Sequence, residues 1–317
     1  VDEPFELDLE DDEGLAGGLA LWATGEDELG PALGRALSER AGRGPEAVAR
    51  LARLALEVGL DFNSLYQAVL ELVPPSPEEA ALWIALAQVA PADAPLEVLY
   101  NLGLDLRIEV DAPDVALPLF RLALEQAPDD GETWFELGNT LDDLGQEEEA
   151  LAAWARSGEL DPAAAGPWLN RGQLLKSMGR FEEALPLIAE GLARGDEPEG
   201  WHVQGHVLQA LGRQAEAEAS LERAVKGYTD RIVAGQEVAE ARFWRGAAQA
   251  RLGRAEPALL DLGVALALEP SLRAAALEEE DFEALHALPG WTAALSAAVP
   301  GAPVLGVVGR GEEEDEA

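Results

Sequence analysis

The sequence predicts an all-α fold, an α-solenoid of stacked antiparallel helix pairs. Three observations carry that reading. Ala, Leu, Glu and Arg, all good helix formers, dominate a chain of 317 residues that is 48% hydrophobic and only 6% aromatic. No stretch rich in Val, Ile and Thr alternates as a strand would. Glycines paired seven residues apart recur in one phase, each pair followed five residues later by Ala.

The elements follow in order. Residues 1–13 hold eight acids and no base, and read as a solvated acidic tail. Residues 14–95 form an N-terminal helical region of degenerate helix pairs. There, Val48, Leu51, Leu54, Ala55 and Val58 make one apolar face, and Asn63 or Ser64 is a candidate N-cap. Ser76, Pro77 and Glu79 carry a capping-box signature ahead of a further helix.

Residues 96–272 are the array. One copy reads Trp134, Leu137, Gly138, Leu141, Gly145, Ala150, Trp154, Pro162. The next reads Trp168, Arg171, Gly172, Leu175, Gly179, Ala184, Ile188. A third reads Trp201, Gln204, Gly205, Leu208, Gly212, Ala217, Leu221, and a fourth reads Gly246, Gly253, Ala258, Leu262, Pro270. The first glycines are spaced by 34, 33 and 41 residues. A glycine inside a helix costs about 1 kcal/mol, so its recurrence points to two helices that must approach closely. The second glycine of each pair falls where the first helix has to stop and turn. Pro162 and Pro270 are placed to open new helices.

A weaker copy spans 96–130, with Leu99, Gly103, Ala116, Phe120 and Pro128. One extra residue near Asp111–Pro113 breaks its register. The 41-residue interval carries an insertion that lengthens the second helix of the third copy.

This period and its spaced residues resemble the tetratricopeptide repeat family of bacterial type. Gly131–Ala164 is the most similar segment, with Leu141 in the family's Tyr place and Trp154 in its Phe place. Residues 273–299 resemble the capping segment that follows such arrays, in Asp281, Phe282, Leu285, Pro289 and Trp291. Residues 300–317 read as a flexible acidic tail.

The resemblance implies a right-handed superhelix whose first helices line a concave protein-binding groove. Carried over position by position, that groove takes Phe135, Asn139, Asp142 and Asp143, then Leu169, Asn170, Gln173 and Lys176. The third copy adds His202, His206 and Gln209, the fourth Phe243, Trp244 and Arg251, and the weaker copy Tyr100 and Arg107. Asn139 and Asn170 match two asparagines with which some family members grip a terminal carboxylate. The basic positions of that grip are Phe135, Glu199 and Val203 here, so an acidic C-terminus is not the ligand this comparison favours.

Composition narrows the chemistry. The net charge is −39, from 61 acids against 22 bases, which disfavours nucleic acid and anionic membrane and attracts basic partners. Cysteine is absent, so thiolate metal sites and thiol nucleophiles are excluded. His202 and His206 have metal-ligand spacing, but no third ligand can be named, and no metal or other cofactor is expected. No phosphate-binding loop or nucleophile elbow occurs.

No transmembrane run or secretory signal is read, and a cytoplasmic location is expected. The expected function is a non-catalytic scaffold or adaptor recognising a neutral or basic peptide or protein segment. The alternatives are a chaperone for a basic or aggregation-prone client and a regulatory subunit of an enzyme. Oligomeric state is not legible.

Overall fold

The structure is a computed structural model that describes residues 45–57 and 59–296. The acidic segments at 1–13 and 300–317, residues 14–44 and Val58 lie outside the described residues. Among the described residues the chain forms fifteen α-helices and no strand. They are α1 (Pro45–Glu57), α2 (Phe62–Leu72), α3 (Ala80–Ala87), α4 (Leu96–Leu104), α5 (Pro113–Gln126), α6 (Gly131–Asp143), α7 (Glu147–Leu160) and α8 (Gly166–Ser177). There follow α9 (Phe181–Leu192), α10 (Pro198–Ala210), α11 (Gln214–Ala234), α12 (Val238–Arg251), α13 (Ala255–Leu268), α14 (Leu272–Glu278) and α15 (Pro289–Leu295). A 3₁₀ turn, Glu280–Leu285, joins the last two.

The paired glycines do two different jobs. The second glycine closes the first helix of each copy. At Gly145, φ is +67°, its N–H donates to the Asp142 carbonyl at 2.8 Å, and the next N–H, of Gln146, reaches the Leu141 carbonyl at 2.8 Å. This double closure needs a left-handed residue, which glycine adopts without a Cβ penalty. It repeats at Gly179, Gly212 and Gly253 with φ of +72°, +72° and +73°. The first glycine lets the second helix come close. A Cβ on Gly138 would lie 2.5 Å from the Trp154 ring, and one on Gly205 would lie 2.5 Å from Leu221 Cγ. Ala150, Ala184, Ala217 and Ala258 are fully buried on the second helices.

The chain divides into two compact units at Leu174–Leu175, inside α8. In the first unit, α1 packs on α3, α2 on α4, α3 on α5, and then α4 on α5, α5 on α6 and α6 on α7. Its core holds Leu51, Leu65, Trp83, Leu99, Phe120 and Trp154. Tyr66 lies edge-on to Trp83 and donates its hydroxyl to Asp105 at 2.7 Å, tying α2 to the end of α4. In the second unit, α9 through α13 pack in sequence, and α14, the 3₁₀ turn and α15 lie against α12 and α13. Phe243, Leu262, Leu266, Phe282 and Trp291 share one core there.

Several local expectations are corrected. Asp61, not Asn63 or Ser64, caps α2, because its carboxylate accepts from both the Ser64 N–H (2.9 Å) and the Ser64 hydroxyl (2.7 Å). Ser76 makes no capping bond; the chain enters α3 through a 3₁₀ turn at Pro77–Glu79. Pro162 and Pro270 sit in turns ahead of α8 and α14 rather than opening them. The Ala163 N–H donates to the Asp161 carboxylate at 3.0 Å and holds the first of these turns. The extra residue of the weak copy is absorbed by a π-type turn at Asp105–Glu109 and by Asp111 at φ 58°. The insertion lengthens α11 to 21 residues, and Arg231 fastens the added turns to Glu199 at 2.5 Å and Glu197 at 2.9 Å.

Candidate functional site

In the first unit, α4, α6 and the start of α8 enclose a cavity of about 310 Å³ lined by Tyr100, Phe135, Glu132, Glu136, Asp161 and Gly166. Tyr100 is half-buried and stands edge-on to Phe120 at 6.1 Å. Phe135 lies against Gly166, where an added Cβ would come within 3.1 Å of the ring. Three carboxylates line the cavity, and Arg107 pairs with the one on Glu136. Burial first, and then the charges of Glu136, Glu132 and Asp130, push the Tyr100 hydroxyl up to about 12, with Arg107 opposing them.

Other groove candidates of this unit are bound to one another. Arg107 pairs with Glu136 at 2.9 Å and Asp143 at 3.2 Å. The Asn139 carbonyl oxygen accepts from Trp154 Nε1 at 3.1 Å and from the Asn170 amide at 2.9 Å, and the Asn139 amide donates to Glu136 at 3.1 Å. These two asparagines therefore spend part of their hydrogen-bonding capacity on the protein itself. Leu169 is half-buried, while Asp142 and Gln173 are exposed.

In the second unit, the first helices bring their polar residues onto the 3₁₀ turn. His202 and Asp281, 79 residues apart, meet through Nε2 and Oδ2 at 2.6 Å. Arg251 also pairs with Asp281 through Nε, and with Glu280 at 3.2 Å. Lys176 Nζ and His206 Nδ1 each lie 3.0 Å from the same Glu280 oxygen. Gln209 accepts from Arg251 at 3.1 Å and donates to the Arg251 carbonyl at 3.2 Å. Burial would raise the Asp281 carboxyl, but the His202 hydrogen bond and the charges of His202, Arg251 and His206 outweigh it and hold it below the ordinary range. Burial, then Arg251 and Lys176, push His206 down to about 4. One neutral tautomer satisfies its contacts, with Nδ1–H donating to Glu280 and Nε2 facing Arg251 at 3.4 Å.

Two assignments change accordingly. Phe243 is core, 2% exposed, because its ring meets Phe282 edge-on at 5.3 Å. His202 is buried between Trp244 and Tyr228, its ring edge-on to both. Trp244 itself is half-buried and edge-on to Phe243 at 5.1 Å. The metal-ligand spacing of His202 and His206 leads to two different carboxylates. His206, Glu280 and Asp281 do bring three potential ligand atoms within 4.8 Å of one another, but Lys176 and Arg251 already neutralise those carboxylates.

Sequence reasoning missed Glu132, Glu136 and Asp161 as walls of the first cavity, and Glu280 with Asp281 as partners of the second-unit cations. With 61 acids in the chain, none of these stood out. It also missed Asp261, a carboxylate 3% exposed on α13 that binds Arg242 at 2.9 Å and Arg245 at 2.6 Å. Arg242 and Arg245, three residues apart on one helix, were the available signal. A further regularity lies away from these sites. Trp134, Leu141 and Arg156 line a furrow in the first unit, and Trp201, Leu208 and Arg223, each 67 residues on, line its counterpart in the second. In the latter the Arg223 guanidinium stacks over Trp201 at 4.3 Å.

Two segments match models described as tetratricopeptide repeat, residues 119–152 and 198–226. A search of curated proteins finds no match. Among solved structures, the chain is similar to a thermophilic TPR protein, TTC0263, of Thermus thermophilus. The two are 24% identical over 58% of this chain and 100% of that one, with a TM-score of 0.47. It is also similar to MamA 41-end from Desulfovibrio magneticus RS-1, at 16% identity over 56% and 96% of the two chains and a TM-score of 0.43. Both matched segments fall on the helix pairs whose glycine closures and close approaches repeat in phase, so the chain carries tetratricopeptide repeats at residues 119–152 and 198–226.

Proposed function

We propose that this chain is a non-catalytic scaffold of a bacterial cytoplasm that binds a basic segment of a partner protein, with the first-unit cavity as its anchor point. A protein-interaction role follows from the repeats; the chemistry of the partner is our reading. The observation that carries it is the cavity of about 310 Å³ between Tyr100 and Phe135, walled by Glu132, Glu136 and Asp161. Aromatic faces attract a cation by about 0.5–2 kcal/mol, more as the site is desolvated, and the carboxylates add to that. The net charge of −39 steers basic segments toward the protein. No helix among the described residues is long and apolar enough to cross a membrane.

The test is fluorescence anisotropy with a labelled decapeptide carrying one central arginine, compared with its citrulline counterpart. The arginine peptide is expected to bind at least about tenfold more tightly, a difference of about 1.4 kcal/mol. Phe135→Ala and Glu132→Gln should each remove most of that preference. Equal binding of the two peptides, or a preference untouched by Phe135→Ala, would refute the reading.

A further inference from the structure

The second unit contains a cluster of hydrogen-bond donors, two of them cationic, that the chain fills by itself. Three side chains from three successive first helices, Lys176 on α8, His206 on α10 and Arg251 on α12, converge on a single oxygen of Glu280 at 3.0, 3.0 and 3.2 Å. These donors are largely buried, with side-chain exposures of 18%, 14% and 14%, whereas the Glu280 side chain is 51% exposed. The acceptor thus sits on the solvent side of a fixed and desolvated donor set.

Holding the capping turn in place does not require this contact. Phe282 is fully buried against Phe243 and Trp291, and Asp281 is already bound by His202 and Arg251. The Glu280 carboxylate is not among these anchoring contacts, and it is half-exposed. Three preorganised donors on one carboxylate are the arrangement that recognises an anion.

We propose that Lys176, His206 and Arg251 form a carboxylate-recognition site, that Glu280 is its internal and exchangeable occupant, and that an acidic segment of a partner protein takes the place of Glu280. Asp281 and Phe282 stay where they are, so the exchange needs no opening of the cap. The site is separate from the first-unit cavity and takes ligands of opposite charge. Glu280 competes from the same chain, which lowers the apparent affinity for any external carboxylate. In a molecule with 61 acids, such a guard keeps other acidic stretches from occupying the site indiscriminately.

The experiment uses the full chain and a fluorescein-labelled peptide Gly-Gly-Glu-Asp-Glu at low ionic strength, with the Gly-Gly-Gln-Asn-Gln amide as control. Glu280→Gln removes the internal carboxylate while keeping its size. It is expected to tighten binding of the acidic peptide at least about tenfold over the unsubstituted chain, with no gain for the control, and high salt should abolish the gain. Lys176→Gln in the Glu280→Gln background should return binding to the unsubstituted level. Because Arg251 also holds buried Asp281, Lys176 is the safer partner to remove, and thermal unfolding by circular dichroism confirms that each variant is folded. Binding no tighter in Glu280→Gln, an equal gain for the amide control, or a gain that survives Lys176→Gln overturns the proposal.

Discussion

Gly138→Ala puts the packing logic of the repeat to a quantitative test. On helix propensity alone this substitution should stabilise α6 by about 1 kcal/mol, since Gly is the poorer helix former. The structure reverses the sign. The new Cβ would stand 2.5 Å from both Cδ1 and Nε1 of Trp154 and 2.9 Å from its Cγ. Trp154 is 1% exposed, so its ring has nowhere to retreat without moving α7. Overpacking of this kind costs about 1–3 kcal/mol. Displacing the ring also weakens its 3.1 Å hydrogen bond to Asn139, a further loss of about 1 kcal/mol. The net expectation is destabilisation by about 1–3 kcal/mol, read from urea unfolding followed by far-ultraviolet circular dichroism. Trp154→Leu in the same background makes room for the methyl group, so the pair should show a coupling energy of about 1 kcal/mol or more in a double-mutant cycle. A Gly138→Ala protein as stable as the parent, or a coupling near zero, would refute the close-approach argument.

Two further outcomes follow from buried charge. The folded His206 value of about 4 lies below its ordinary 6.5, so its contribution to stability is complete above pH 6.5 and is lost as pH falls toward 4. Glu280 is also held low, because Lys176, His206 and Arg251 outweigh the effect of burial, and Asp281 behaves alike; their contributions persist down to the ordinary carboxylate range and are lost below it. Urea midpoints measured from pH 7.5 to 4.5 should therefore fall for the parent and fall less for His206→Gln; identical slopes would contradict the assignment. Asp261→Ala strands Arg242 and Arg245 beside a buried face and should cost about 3 kcal/mol in thermal or urea unfolding, against well under 1 kcal/mol for removing the exposed Lys226–Asp230 pair by Asp230→Ala.

What the sequence made legible is what local physics repeats. Gly145, Gly179, Gly212 and Gly253 announce themselves because one turn geometry needs a left-handed residue four times over. Gly138 and Ala150 announce the helix pair because close approach excludes larger side chains. Single-use solutions were not legible. The extra residue of the weak copy could have gone into any turn, and it went into a π-type turn with Asp111 left-handed. Phe243 and Trp244 were indistinguishable as groove or core until Phe282 supplied the ring that buries one of them. The polar partners of His202, His206 and Arg251 come from a turn between about 30 and 80 residues away in the sequence, and no periodicity encodes that pairing.

Charge explains why both candidate sites take the form they do. With 22 bases against 61 acids, nearly any open surface of this molecule is acidic, and a base left unpaired would find a carboxylate of its own chain. Arg107 does so with Glu136 and Asp143, and Arg231 with Glu197 and Glu199. In the aromatic-walled cavity between Tyr100 and Phe135, Arg107 takes up Glu136 in this way, while Glu132 and Asp161 also line the wall. A donor cluster in such a chain can remain available to a partner only if its internal occupant is held in place by something other than the charge contact itself and can yield without unfolding. Phe282 and Asp281 provide the first condition, and the half-exposed carboxylate of Glu280 provides the second.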